Sequence, residues 1–115
     1  MATTQKTILV KDKSINEIMD LSKEHLRSNG FRIKERQNEL ICTRGFGILT
    51  AQQRFIIKFS QQDSQTVKIE GEFFTIAFYF MKSTVEEKAV AAGIPRRKGY
   101  KLMMEYISRI NGTVI

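Results

Sequence analysis

The chain is predicted to fold as an α+β domain. The expected sheet is an antiparallel meander of four to six strands, with one helix after the first strand. One or two C-terminal helices pack on one face, giving the order β-α-β-β-β-β-α-α. Three observations predict this class. Residues 31–36 and 53–60 alternate with period two, as half-exposed antiparallel strands do, and 39–44 returns as the hairpin partner of the first. Residues 15–28 carry apolar side chains at helical spacing behind a serine–glutamate capping signal. A second helical stripe, near the C-terminus, ends at Asn111-Gly112.

Each element follows from local signals. Lys6–Lys11 contains Thr7-Ile8-Leu9-Val10 and reads as a first strand, ended by Asp12-Lys13. Ser14 and Glu17 stand at capping-box spacing, so the serine oxygen accepts from the Glu17 N–H while the carboxylate reaches back. Ile15, Ile18, Met19, Ser22, His25 and Leu26 then share one helical face, which Leu21 widens. Asn29-Gly30 ends this helix, because glycine takes the left-handed terminal conformation without a Cβ penalty, and Phe31 packs back on the last turn.

Gln37-Asn38 supplies a two-residue turn between Phe31–Arg36 and Glu39–Arg44. That register puts Phe31, Ile33, Leu40 and Cys42 on one face and Arg32, Lys34 and Arg36 on the other. Gly45–Ile48 is a loop or bulge. Gln53–Ser60 turns Phe55, Ile57 and Phe59 inward, with Arg54, Ile56 and Lys58 outward. Gln61–Gln65 is a polar turn, and a strand follows from Thr66 with Val67, Ile69 and Phe73 inward and Gly71 marking a bulge. Phe73–Met81 is apolar on both faces, as a central strand or one continuing under a helix would be. Ser83 and Thr84, spaced from Glu86 and Glu87 as caps, open a short helix over 85–92. Gly93-Ile94-Pro95 is a junction. The final helix presents Tyr100, Met103, Tyr106, Ile107 and Ile110; its start is open between Pro95 and Tyr100, since an internal Gly99 costs about 1 kcal/mol. The glycine-bearing segments 45–52 and 93–99 are expected to be the loosest ordered parts.

A chain of 115 residues fits a single domain over residues 1–115 whose core needs no disulfide or metal staple. Apolar residues at 42% and charged residues at 27% argue against wholesale disorder. One cysteine, Cys42, and one histidine, His25, exclude an internal disulfide and a multi-thiolate or multi-histidine metal centre. Both fall on inward faces, where a lone thiol or imidazole serves packing. Glu86 and Glu87 point about 100° apart on a helix and cap it rather than share a proton. Gly45-Phe46-Gly47 lacks the third glycine of a dinucleotide fingerprint, and no phosphate loop is present. The expectation is a protein that is not an enzyme, with no catalytic residues, no metal and no cofactor. No signal peptide is evident, and the nine residues of Phe73–Met81 fall well short of the roughly 20 that span a membrane. A cytoplasmic location is expected.

Charge is the remaining clue. The net charge is +7, and it is uneven. Residues 32–58 hold six basic and two acidic side chains, and residues 94–115 hold five basic and one acidic. The segment between them is slightly acidic. Such charge speaks to association with nucleic acid, an anionic surface or an acidic protein. Two candidate sites follow. The first is the outward sheet face with Arg32, Lys34, Arg36, Arg54 and Lys58, joined by Lys68; Glu39, Glu70 and Glu72 share it, and no aromatic platform does. The second is Arg96, Arg97, Lys98 and Lys101, whose cations crowd the positive end of a helix dipole, a local conflict that an anion would relieve. Solvated, mutually paired charges account for the same residues. The functional expectation is a small non-enzymatic binding module engaging an anionic macromolecule, with nucleic acid first and an acidic protein second. It supposes that the two basic sets are spatial neighbours. Two alternatives are an apolar, lipid-like ligand held between sheet and C-terminal helix by Met103, Met104, Phe78 and Phe80, and a homodimer formed through Phe73–Met81.

Overall fold

The computed structural model describes residues 3–45, 52–77, 81–84 and 93–115. They form an α+β fold: β1 (Thr4–Lys11), α1 (Ile15–Ser28), β2 (Arg32–Arg36), β3 (Glu39–Arg44), β4 (Gln52–Asp63), β5 (Thr66–Ala77), β6 (Met81–Thr84), α2 (Gly93–Arg109) and β7 (Thr113–Val114). All strand pairings are antiparallel, in the spatial order β2-β3-β4-β5-β1-β7, with β6 also paired to β5. The meander runs from β2 to β5. The first strand then pairs with the last strand of the meander, Ile8 opposite Ile69, so β1 is inserted between β5 and β7.

Alternation decides what the sheet buries. Leu40, Cys42, Phe55, Ile57, Ile69, Phe73, Ile8 and Val10 are wholly inaccessible and line one face. Both helices lie on that face: Ile18, Leu26, Met103, Tyr106 and Ile110 join the same core. Phe55 sits at its centre, stacked between Phe31 at 4.9 Å and the edge of Phe73 at 4.8 Å. Gly71 lies on this face as well. A Cβ there would come within 2.5 Å of the Phe73 ring, so the missing side chain makes room for that ring.

The first helix is built as its sequence predicts. Ser14 Oγ accepts from the Glu17 N–H at 3.1 Å, and the Glu17 carboxylate accepts from the Ser14 N–H at 3.3 Å. Gly30, with φ of 87°, follows the last turn; its N–H donates to the Arg27 carbonyl, and the Phe31 N–H donates to that of Leu26. The second helix ends the same way, with Asn111 (φ 56°) in the left-handed position and the Gly112 N–H donating to the Ile107 carbonyl.

Several boundaries differ from expectation. The last helix starts at Gly93, before both expected starts, so 93–99 is helical rather than a loose connection. Pro95 falls in its first turn, where a missing N–H leaves no hydrogen bond unmade. Strand β4 extends through Gln61 to Asp63, leaving only Ser64-Gln65 as the turn. Its register shift lies between Gln61 and Asp63, whereas Gly71 pairs in register with Ile57 on one side and Lys6 on the other. Phe73–Met81 is not one strand: β5 ends at Ala77 and β6 begins at Met81 and pairs back upon it, so Ser83 and Thr84 belong to a strand. Strand β7 carries no sequence signal beyond Thr113-Val114 and is not predicted. The predicted helix over 85–92, with Glu86 and Glu87, and most of the 45–52 loop lie outside the described residues.

Candidate anion-binding surfaces

The structure divides the predicted cations between two faces. Register places Arg32, Lys34, Arg36, Arg54 and Lys58 on the face away from the helices, where Arg32 pairs across Thr43 with Arg54, and Arg36 across Glu39 with Lys58. The set Arg96, Arg97, Lys98 and Lys101 is carried by α2, which covers the opposite face. The two sets are therefore not neighbours, because strand alternation and the amphipathic stripe of α2 send them to opposite sides of one sheet.

On the sheet face, acids interleave with the bases. Lys58 Nζ lies 3.9 Å from Glu39, and Lys68 Nζ lies 3.7 Å from Glu70. A concavity of about 460 Å³ there is lined by Lys6, Lys58, Glu70, Glu72 and the half-buried Ile56. Its charge is balanced, which does not favour an anion. Toward β2 the balance shifts: Arg32, Lys34 and Arg36 are exposed, and Arg32 Nη2 donates to the Gly45 carbonyl at 2.6 Å. Arg54 is half-buried, donates through Nη2 to Gln52 at 2.9 Å, and has a buried Nε without an acceptor among the described residues. Its cross-strand partner Phe74 is buried, as is Ile76.

The helix face assembles a denser group. Leu102, Met103, Tyr106, Ile107 and Ile110 turn toward the core, so Arg97, Lys98, Lys101, Met104, Glu105, Ser108 and Arg109 turn outward, while Arg96 is half-buried. Because α2 begins at Gly93, Arg96–Lys98 lie at the end of its first turn and beyond, and the conflict with the helix dipole is milder than the sequence implies. Arg44 reaches this side from the end of β3. Its Nε donates to the Asn29 carbonyl at 2.9 Å, which fixes the guanidinium beside the C-terminal turn of α1. Arg44, Arg97, Lys98 and Lys101 line an open cleft of about 490 Å³, with Asn29 and Glu105. A second cleft, of about 710 Å³, adjoins it along α2 and is lined by His25, Tyr100, Met104, Ser108 and Arg109. Arg97, Lys101 and Glu105 border both.

Arg44 and Tyr100 are not among the expected site residues. Alternation contains the signal for the first: counting on from Leu40 and Cys42 puts Arg44 inward, where an arginine at a strand end must find a carbonyl or the rim of a cleft. Helical spacing assigns Tyr100 to the core, but it is half-buried at the margin.

The single thiol is sealed in the core, whereas the single imidazole, expected on the inward face, is half-buried at the edge of the second cleft. Burial pushes the Cys42 thiol up to about 12, so it stays protonated. Burial also holds the half-exposed His25 imidazole below its usual value; Arg109 acts in the same direction and Glu105 against it. Deeper, Ser22 and Tyr106 share a hydrogen bond of 2.8 Å that ties α1 to α2, and burial raises the Tyr106 phenol. Among the described residues no group of three or more His, Cys, Asp or Glu side chains gathers as metal ligands. No helix among them is long and apolar enough to cross a membrane.

The other sequence-level alternatives meet a different geometry. Met103 is wholly buried while Met104 is 40% exposed, so the pair does not line one cavity between sheet and helix; Phe78 and Phe80 lie outside the described residues. Phe73 to Ile76 are buried within the monomer, which leaves those four positions no surface to offer a second copy. Comparison of the chain with protein-family models, with curated proteins and with solved structures finds no match.

Proposed function

We propose that this chain is a small cytoplasmic binding module, not an enzyme, that engages nucleic acid through a basic surface on its helix face. The observation that supports this is the convergence of Arg44, Arg97, Lys98 and Lys101, drawn from β3 and α2, on one open cleft. Among the described residues, Glu105 is the sole carboxylate lining it. Cations from two elements around one concavity suit a phosphate backbone, whose neutralisation releases counterions and makes affinity fall with salt. The sheet-face cations Arg32, Lys34, Arg36, Arg54 and Lys58 form a second, weaker contact in this reading, since Glu39 and Glu70 offset part of the charge on that face. A binding role fits the sealed, protonated Cys42 better than nucleophilic chemistry does.

The test is a titration of labelled DNA and RNA against the protein at about 50 and 200 mM salt. Binding at the lower concentration that weakens steeply at the higher, and that Lys98→Ala with Lys101→Ala reduces for every nucleic acid tried, supports the proposal. No binding to any nucleic acid at the lower concentration overturns it.

A further inference from the structure

We infer that the two adjoining clefts along α2 form one groove for a single-stranded nucleic acid, with phosphates held at Arg44, Lys98 and Lys101 and an unpaired base laid against Tyr100 and His25. The inference rests on the nucleic-acid reading above and narrows it to one strand form. Three observations carry it.

The clefts are neighbours on α2, with Arg97, Lys101 and Glu105 as their common border. A ligand reaching from one to the other passes over these three exposed side chains. The two ends also differ in chemistry. The Arg44 end is cationic, whereas the other end adds the half-buried rings of His25 and Tyr100 and the thioether of Met104, which is 40% exposed. A charged backbone carrying flat apolar groups matches that division, with rings taking bases by stacking and cations taking phosphates. Finally, Glu105 stands where both ends meet. A carboxylate repels phosphate but accepts hydrogen bonds from the amino or imino N–H of a base edge. A duplex hides its base faces in the stack and offers none to Tyr100, and the carboxylates of an acidic peptide, unlike the phosphates of a nucleic acid, are not each accompanied by a flat base.

The experiment compares an oligothymidylate of about 15 nucleotides with a duplex of matched length at about 50 mM salt, by fluorescence anisotropy, with polyglutamate as competitor. The chain has no tryptophan, so Tyr100→Trp installs a single reporter at the proposed stacking site. Tighter binding of the single strand, quenching of that tryptophan on binding, and a loss of single-strand affinity of about 5- to 150-fold in Tyr100→Leu that Tyr100→Phe does not share are the expected results. Equal affinity for duplex and single strand, with Tyr100→Leu unchanged, overturns the inference and leaves the nucleic-acid reading standing. Polyglutamate displacing the oligonucleotide at equal charge concentration overturns it in favour of an acidic protein. Absence of binding to either strand form overturns both. Tyr100 lies at the core margin, so thermal melts of Tyr100→Leu and Tyr100→Phe must match the parent for the comparison to count, and the Trp quench reads the site independently of any loss of affinity.

Discussion

The Cys42 thiol, Tyr106 phenol and His25 imidazole are all pushed toward their neutral forms by burial, and each yields a measurable consequence. At pH 8 a thiol held near 12 rather than 9.0 presents about a thousandfold less thiolate. Alkylation of Cys42 is therefore expected to be negligible in the native protein and complete in denaturant, as mass spectrometry would register. The folded chain holds His25 below 6.5, so the unfolded chain takes up the proton first. The stability supplied by neutral His25 is full above 6.5 and drains as pH falls below it. Glu105 and Arg109 of α2, the tilted Tyr106 ring at 6.4 Å and Asn29 at 3.5 Å surround it, with Arg97, Tyr100 and Lys101 lining the same cleft. Denaturant titrations between about pH 7 and 5 should show a decline in stability that His25→Gln flattens. Ser22 and Tyr106 offer a third test. Removing either hydroxyl leaves the other buried without its partner and should cost about 1–3 kcal/mol, while Ser22→Ala with Tyr106→Phe should cost less than the two single changes added together.

At the scale of elements, legibility depends on whether the deciding signal is local. Helix α1 can be read to the residue because Ser14, Glu17 and Gly30 act within one turn of the ends they define. Losing its capping box is correspondingly local: Ser14→Ala should cost about 1 kcal/mol, read as a drop in melting temperature with the fold intact. The start of α2 is misjudged from sequence because Gly99 and the three cations before it argue against a helix locally. Leu102, Met103, Tyr106 and Ile107 further along are buried and hold the helix against those preferences, a tertiary effect that no window around Gly99 contains. The turn after β4 is expected too early for a similar reason. Gln61 is polar, yet it pairs with Val67, and the Asp63 carboxylate accepting from the Gln65 N–H at 2.9 Å fixes the start of the actual turn three residues later. The basic faces of β2 and β4 are legible because period-two alternation assigns sides unambiguously.

For the whole molecule, alternation within one strand says nothing of what lies across the sheet. That is why the two basic sets, supposed adjacent from sequence, occupy opposite faces. It is also why Arg44, inward by parity, escapes notice as the strand residue that joins the α2 cluster. The separation makes the faces independently testable. Replacing Lys98 and Lys101 by alanine should lower the salt dependence of single-strand binding by a slope of about 1.4, at roughly 0.7 for each phosphate no longer neutralised. Replacing Lys58 and Lys68, which have Glu39 and Glu70 within ion-pair distance, should change it little. A slope carried instead by Lys58 and Lys68 would move the interface to the sheet.

The insertion of β1 between β5 and β7 has a consequence for synthesis. The strand emerges from the ribosome first, but Ile8 finds its partner only when Ile69 has followed. At ordinary elongation rates of about 5–20 residues per second, that leaves the first strand without its sheet for about 3–12 s. During this interval Ile8 and Val10, inaccessible in the finished protein, are open to solvent and to chaperones. Helix α1 and the β2–β3 hairpin can assemble meanwhile. Pulse proteolysis of stalled nascent chains should find residues 4–11 protected only once release extends past residue 73, the far end of the β1–β5 pairing.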